Sequence, residues 1–381
     1  MGQGLAVARE RQVMRGLPTP LACNDRVMTA VEQSNLLASA WMLLCNLWQP
    51  VHHHRSTAMY ELNRRDLIVS ASVAALALGL DKRTAFLGVS SAAAATAAEQ
   101  GFHKFKVGDV EMTAIYDGVW EKAHDEGFIK GVSIEQTKKA LADAGIPNET
   151  VPIPFSVMAA AIGGKTVLFD SGTGGQLAPT AGLMRKQNLA AAGIDPAGVA
   201  MVAVTHFHPD HIFGLMEKDT NAPLFPNAEI VVSAKEYAFW TDPALIAKMP
   251  EANRGLPTRI QAVFPGWKNI RQVDDGAEIV AGVRAVATPG HTAGHTTYQV
   301  SSGGKVLYVL GDISNIPALF LKHPEWQAAF DSDGDMAVKT RRAIMDRTLA
   351  EGAMVSGYHF PFPAVGTVAK DGDGYAFAPV T

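Results

Sequence analysis

The sequence predicts an α/β protein built from two similar halves. Three observations carry that expectation. From residue 101 onward, short apolar runs bounded by glycine turns alternate with helical patterns. The segment Gly163-Gly164-Lys165-Thr166-Val167-Leu168-Phe169-Asp170 is echoed by Gly303-Gly304-Lys305-Val306-Leu307-Tyr308-Val309-Leu310-Gly311-Asp312. In both, a glycine turn feeds an apolar strand that ends in aspartate. Finally, the 381 residues are 48% hydrophobic and 18% charged, enough apolar side chains for a large core and too few charges for wholesale disorder.

The first hundred residues read as an address rather than a fold. They carry nine Lys and Arg against seven Asp and Glu, whereas the remainder carries 24 against 30, within a net charge of −4. Asn63-Arg64-Arg65-Asp66 opens an apolar stretch ending at Leu80. That stretch is too short for a membrane-spanning helix, which needs about 20 residues. A basic start, a short apolar middle and the small-residue tract Ser90 to Ala98 together compose an export signal, and the arginine pair is of the twin-arginine type. With Met59 just upstream, the expected organisation has three parts: an over-extended start or unstructured leader over 1–58, a signal peptide over 59–99, and one domain over 100–381. The expected location is periplasmic or secreted, with no stable membrane anchor. Cys23 and Cys45 both precede the domain, which excludes from it a disulfide framework, a cysteine nucleophile and a thiolate metal ligand. The acidic balance argues against a nucleic-acid partner. His52-His53-His54 receives no function.

Within the domain, Phe105 to Tyr116 reads as a hairpin turning at Gly108-Asp109. Ser133-Ile134-Glu135-Gln136 is a capping box that opens a helix to about Ala144. Val157–Ile162 and Thr166–Phe169 are strands, followed by an expected helix over Pro179 to Ala192. Met201–Val204 and Ala228–Val232 are strands, the second leading into a helix over Ala234 to Trp240. Strands are expected at Glu278–Val280, Val283–Ala287, Thr296–Val300 and Val306–Leu310, and a last helix from Met336 to Leu349 with Asp333 as its N-cap. Asp331-Ser332-Asp333-Gly334-Asp335 is not a calcium loop, because the glycine is misplaced and Arg342 stands where a closing glutamate belongs. Gly172-Thr173-Gly174-Gly175 is not a phosphate loop, because no Gly-Lys-Ser/Thr follows.

Chemistry concentrates in Thr205-His206-Phe207-His208-Pro209-Asp210-His211, directly after a strand. His206 and His208 alternate, so an extended segment points both to one side. Pro209 ends any strand ladder and turns Asp210 and His211 toward a neighbouring point, so one loop can serve two adjacent metal positions. Further candidates stand at strand ends: His291 in Gly290-His291-Thr292-Ala293-Gly294-His295, Asp312, and His359. The set is five histidines and two aspartates without a thiolate, which suits Zn²⁺, with Mn²⁺, Fe²⁺ or Co²⁺ as other divalent candidates. His295 and Asp170 are expected to support the ligands rather than join them. His103, His124 and His323 read as structural or solvated.

These motifs resemble the metallo-β-lactamase fold superfamily over nearly all of residues 101–381. The resemblance implies an αβ/βα sandwich with a dinuclear metal site along one rim. It implies that His206, His208 and His291 hold one ion, that Asp210, His211 and His359 hold the other, and that Asp312 bridges them, with a metal-bridging water as the attacking group. Within the superfamily the chain most resembles the methyl parathion hydrolases, a family of secreted phosphotriesterases. It does so through the His206–His211 and His291–Tyr298 segments, Phe225-Pro226-Asn227-Ala228, Lys235-Glu236-Tyr237-Ala238-Phe239-Trp240 and Asp331-Ser332-Asp333. The quorum-quenching lactonases are next. Where those hydrolases have a pocket phenylalanine, this chain has Leu177. Phe207, Trp240 and Leu177 are the candidate pocket residues, Trp240 being equally readable as core.

The implied function is hydrolysis of phosphotriester or carboxylic ester bonds in a small molecule, with lactone opening as the alternative. Asp210 is the candidate proton shuttle; no separate general acid is evident. A non-hydrolytic metal-binding member is the further alternative. The di-iron redox members, however, typically have glutamate where this chain has His208 and carry a flavin domain for which there is no room. A homodimer is expected through the Phe105–Tyr116 hairpin and the apolar run Leu319-Phe320-Leu321.

Overall fold

The computed structural model describes residues 100–380; the leader, the Arg64-Arg65 pair and the cleavage tract lie outside the described residues. Strands β1 (Phe102–Val107), β2 (Val110–Lys122), β3 (Val151–Ile162) and β4 (Lys165–Phe169) pair antiparallel in chain order. β5 (Val199–Ala203), β6 (Glu229–Ser233) and β7 (Ile270–Val273) then add in parallel, completing a seven-stranded sheet. The second sheet also has seven strands: β8 (Glu278–Val280), β9 (Val283–Ala287), β10 (Thr296–Ser302), β11 (Lys305–Val309), β12 (Met354–Ser356), β13 (Val365–Asp371) and β14 (Gly374–Pro379). Only β11 and β12 pair in parallel there.

The period of two along each strand decides what faces what. In β4, Val167 and Phe169 join Tyr298, Val300, Leu307 and Val309 in the core between the sheets, and the rings of Phe169 and Tyr298 lie 5.6 Å apart. Leu168 between them belongs to a second core, shared with Val202, Ile230 and Val232. That core is closed by α1 (Ile134–Asp143), α3 (Ala234–Thr241), α4 (Pro243–Lys248) and α5 (Gly255–Val263), through Leu141, Trp240, Leu245 and Ile260. On the second sheet, α6 (Gly334–Glu351) packs Ile344 and Met345. The one-turn helix α2 (Pro209–Ile212) follows β5. Each of these elements turns apolar side chains to a core, and the architecture is helices, sheet, sheet and helix.

The Ser133 capping box opens α1, with the Ser133 hydroxyl and the Gln136 side chain each accepting from the other's backbone N–H. Asp333 caps α6 by accepting from Met336 N at 3.0 Å. The helix expected over Pro179 to Ala192 starts later, running continuously over 183–191 as a π-helical turn at Met184–Asn188 followed by an α-helical piece at Leu189–Ala191. The buried Asp117 takes the Met184 N–H through Oδ1 at 2.9 Å and the Gly182 N–H through its backbone oxygen at 2.8 Å, which ties the start of this helix to β2. One of the two segments expected to form a dimer contact is also corrected. Leu319, Phe320 and Leu321 are each fully buried within this chain, so that run cannot meet a partner. No helix among the described residues is long and apolar enough to cross a membrane.

One hydrogen bond joins the sheets next to the loop that carries most of the histidines. The buried Tyr298 hydroxyl on β10 donates to Val204 O at 2.9 Å, just past the end of β5. Tyr298→Phe strips this buried carbonyl of its donor. We expect a loss of about 1–2 kcal/mol in urea unfolding, with secondary structure unchanged by circular dichroism. An unfolding midpoint identical to wild type would sink the idea.

Candidate metal centre

β4 and β5 end side by side, and one carboxylate sets the course of the chain beyond them. Asp170 occupies the left-handed region, with φ 65°, where aspartate is tolerated better than bulkier residues. Its Oδ1 accepts Thr205 N at 2.7 Å, and its Oδ2 accepts the Thr205 hydroxyl at 2.9 Å and faces His211 Nδ1 at 2.8 Å. The chain leaving β5 is thus pinned at Thr205. His206 and His208 come next, and Pro209 then starts α2, which carries Asp210 and His211.

The opposite half supplies the rest. Gly311, with φ 58°, turns the chain after β11; a Cβ there would come within 2.7 Å of His295 Nε2 and 2.9 Å of Thr205 Cβ. This brings Asp312 N to His295 Nε2 at 3.0 Å, while His295 Nδ1 meets the Thr288 hydroxyl at 2.8 Å. His295 and Asp170 accordingly stand outside the ligand groups and hold them in place. His359 follows β12 by three residues, with Nδ1 facing Pro154 O at 2.8 Å.

Seven side chains converge in two groups. His206, His208 and His291 form one, and Asp210, His211, Asp312 and His359 the other. Within each, the candidate ligand atoms lie within 4.8 Å of one another. Asp312 faces both: Oδ2 lies 3.4 Å from His291 Nε2 and 3.0 Å from His359 Nε2, and Oδ1 lies 3.2 Å from His211 Nε2. Asp210 Oδ2 lies 3.3 Å from His359 Nε2 and 3.4 Å from His211 Nε2. In His206, His211, His291 and His359 the Nδ1 atom is engaged with Thr205, Asp170, Asp331 and Pro154 respectively, which leaves Nε2 toward the centre. His208 instead turns Nδ1 inward, 2.9 Å from His291 Nε2.

The fit to divalent ions is tested by what these atoms lack. His206 Nε2, His211 Nε2 and Asp312 Oδ1 are buried without a hydrogen-bond partner, and all three point into the centre. Such orphans are costly, and one cation in each group satisfies all three. The charges agree. Burial, with neighbouring imidazoles, holds His206 well below the ordinary histidine range and takes His208 down to about 3. Burial also opposes charge on His211 and His359, but the carboxylates outweigh it: Asp312, Asp210 and Asp170 raise His211 well above its usual range, and Asp312 and Asp210 raise His359 to about 9. Positive charge is therefore wanted at this spot, whether as protons or as metal.

The groups form the floor of a cavity of about 340 Å³. His208, Asp210, His291, Asp312 and His359 line its base, and Ile153, Phe155, Leu177, Ala178, Trp120 and Phe330 line its walls; no lysine or arginine does. Leu177 thus lies where expected, 45% exposed at the wall. Phe207 and Trp240 do not. Phe207 is buried against Phe264, ring centres 4.9 Å apart, and Trp240 is buried with its indole N–H on Glu236 Oε1 at 2.7 Å. Trp120 and Phe330, to which the sequence assigns no role, take the aromatic wall positions.

Three supporting residues also escape the sequence. Asp331 Oδ1 faces His291 Nδ1 at 2.9 Å while its Oδ2 accepts Ala328 N at 2.9 Å. The Tyr358 ring lies on His211, centres 3.8 Å apart, and its hydroxyl donates to Asp210 O at 2.6 Å. Glu236, fully buried, contacts two ligand-bearing loops. Glu236 and Asp331 do lie in segments that carry the family resemblance, but nothing in those segments gives either residue a role, and Tyr358 is marked only by standing beside His359.

Removing the Asp331 carboxylate frees the His291 ring to turn. For Asp331→Asn we expect zinc affinity to fall about 10- to 100-fold, measured by competition with a chromophoric chelator. An unchanged affinity would show that Asp331 does not orient His291. Zinc should also raise the melting temperature of metal-free protein, since it binds the folded rim alone; a Tm that does not move with zinc concentration would contradict the fit.

Comparison with known proteins agrees with this geometry. The hydrolase AbOPH of the beta-lactamase superfamily superimposes with a TM-score of 0.68 at 27% identity, over 74% of this chain and 98% of that one. AidC, a dizinc quorum-quenching lactonase solved with a product, N-hexanoyl-L-homoserine, gives 0.69 at 25% identity over the same shares. In sequence, the uncharacterized protein YobT of Bacillus subtilis (strain 168) is 28% identical over 109 residues, 28% of this chain, and the match spans 43% of that protein. The family model described as the metallo-beta-lactamase superfamily matches residues 152–356, more than half of the chain. That span runs through β3 to β12 and takes in both sheets and six of the seven converging residues, so the chain belongs to the metallo-beta-lactamase superfamily.

Proposed function

We propose that the protein is a dinuclear-metal hydrolase of uncharged esters that carry an apolar arm, with acyl-homoserine and related lactones as its first substrate class. The observation that carries this reading is the pocket: two ligand groups at the floor, apolar walls, and no basic side chain to pair with an anionic substrate. AidC, similar over nearly its whole length, is a dizinc lactonase, which supports both the metal and the substrate class.

In this reading His206, His208 and His291 hold one ion, Asp210, His211 and His359 hold the second, and Asp312 reaches both. Divalent ions held there would supply Lewis-acid polarisation of an ester oxygen and activation of a water, whose pKa falls to about 7 in such sites. The chain's own groups do the rest. Ile153, Phe155 and Ala178 exclude bulk water and hold the apolar arm. Asp210, which is 17% exposed, takes the proton of the attacking water on its carboxylate and returns it to the leaving alkoxide as the acyl C–O bond breaks. The products are an alcohol and a carboxylic acid, which releases its proton to solvent and leaves as the carboxylate. Phosphotriester hydrolysis is the second reading. Trp120 and Phe330 favour it, since two exposed aromatic faces at the mouth suit an aryloxide leaving group. The Arg64-Arg65 pair supports export of the folded enzyme.

Zinc-loaded protein should turn over hexanoyl-homoserine lactone with a kcat/KM more than tenfold above that for methyl parathion, equal to about 1.4 kcal/mol of transition-state binding. The reverse preference would establish the second reading. Turnover of neither above a His208→Ala control would end the hydrolytic reading and leave a metal-binding member. Phe330→Ala should cost a decanoyl lactone about tenfold in kcat/KM and a butanoyl lactone less than about threefold, because only the longer arm reaches the wall. Equal losses on both would refute that placement of the arm.

A further inference from the structure

The three histidines of the first group come from two loops, 206–208 and 290–295, and one buried carboxylate grips both. Glu236 Oε1 accepts Phe207 N at 2.9 Å, and Phe207 stands between His206 and His208. Glu236 Oε2 accepts the Thr292 hydroxyl at 2.8 Å and Gly294 N at 2.9 Å, next to His291. The fourth bond comes from the Trp240 indole at 2.7 Å. Gly294 lies so close to the start of α3 that a Cβ would fall 2.1 Å from Glu236 N, so the second loop rests flush on the helix that carries the carboxylate. In the other group His211 is held by Asp170 and His359 by Pro154 O, away from Glu236; only Asp312, which faces both groups, is tied through His295 to the 290–295 loop.

We propose that Glu236 is a positioning residue that sets the geometry of the three-histidine group, so that affinity for the ion held there depends on it while affinity for the neighbouring ion does not. The inference rests on the dinuclear reading above. Its chemistry lies in the donor set. Three of the four partners are N–H groups that can only donate, two on Oε1 and one on Oε2. A carboxylate satisfies all of them. A carboxamide cannot, because in either orientation its NH₂ meets an N–H.

Metal-free full-length protein is titrated with Zn²⁺ against a competing chelator to give two dissociation constants, and bound zinc per chain is counted after dialysis. Wild type is expected to take two ions; fewer than two would overturn the dinuclear reading and this inference with it. In Glu236→Gln one constant is expected to weaken tenfold or more, with the other unchanged within twofold. Thr292→Val, which removes one donor from one loop, should weaken the same constant by about threefold. Tyr375→Phe, which removes the hydroxyl that β14 donates to Asp346 Oδ1 on α6 at 2.7 Å and touches neither ligand loop, should leave both within twofold. In a His291→Ala background, where the three-histidine group is already broken, Glu236→Gln should change the remaining constant by less than twofold. Equal weakening of both ions, no weakening of either, or a Tyr375→Phe effect as large as that of Thr292→Val would each overturn the proposal. If Glu236→Gln does not fold, the Thr292→Val and Tyr375→Phe pair decides it.

Discussion

Two carboxylates and five imidazoles occupy one rim of the sandwich, and all but His208 and Asp210 are almost fully buried. The rest of the structure around them answers that constraint. Removing a charged or polar group from water is unfavourable unless other groups meet it. Four imidazoles are met on the far side by the scaffold, His211 by Asp170, His291 by Asp331, His359 by Pro154 O and His206 by Thr205, while the backbones of Asp312 and Asp210 are met by His295 and Tyr358. The near sides are left for whatever lies between. The carboxylates draw positive charge to His211 and His359, yet His206 Nε2, His211 Nε2 and Asp312 Oδ1 stay buried without a hydrogen-bond partner. Two cations satisfy both the charge and the orphans, so holding metal and folding the rim are coupled events.

The sandwich provides the rim by repeating one plan. Each half places a parallel strand pair at the site, β4 beside β5 and β11 beside β12, and each contributes an aspartate beyond the first strand of its pair. The two aspartates diverge in how the chain leaves the strand. Asp170 follows β4 directly in a left-handed conformation, which leaves its carboxylate behind the loop, on Thr205 and His211. Asp312 follows Val309 by three positions, and the turn at Gly311 carries it past His295 to the front, where it faces both ligand groups. Equivalent sequence words thus become a support in one half and a shared carboxylate in the other.

Most of this is legible in the sequence because it is local. The glycine-bounded apolar runs place the strands around the site, and the spacing of His206, His208, Asp210 and His211 places four of the converging side chains on one loop. The illegible part is long-range. Glu236 meets Phe207 across 29 positions and Gly294 across 58, and Asp331 meets His291 across 40. No periodicity encodes such pairings. Phe207 is misplaced by the sequence, and Trp240 takes the core place of its two readings, for a related reason: an aromatic near a ligand in sequence is near the site in space, but its side is decided by local backbone phase and by the core it fills. The hairpin β13–β14 and helices α4 and α5 go unread, since their short segments alternate weakly.

The pocket walls link the metal to the substrate. Trp120, Leu177 and Phe330 are 39%, 45% and 41% exposed, three of the four most exposed large hydrophobics among the described residues, and all three border the cavity that reaches the metal groups. Single exposed apolar side chains are ordinary, but a cluster at a mouth marks a surface that is covered during function. A substrate arm laid across them gains roughly 25 cal/mol for each Å² of apolar surface removed from water. That gain is indifferent to which bond is cleaved. In the proposed reading it sets how tightly an apolar arm is held, whereas the orientation of an ester over Asp210 and Asp312 would determine whether a planar lactone carbonyl or a tetrahedral phosphorus is the better fit. The walls define a substrate class and the floor a reaction, and the selectivity of this protein is the product of the two.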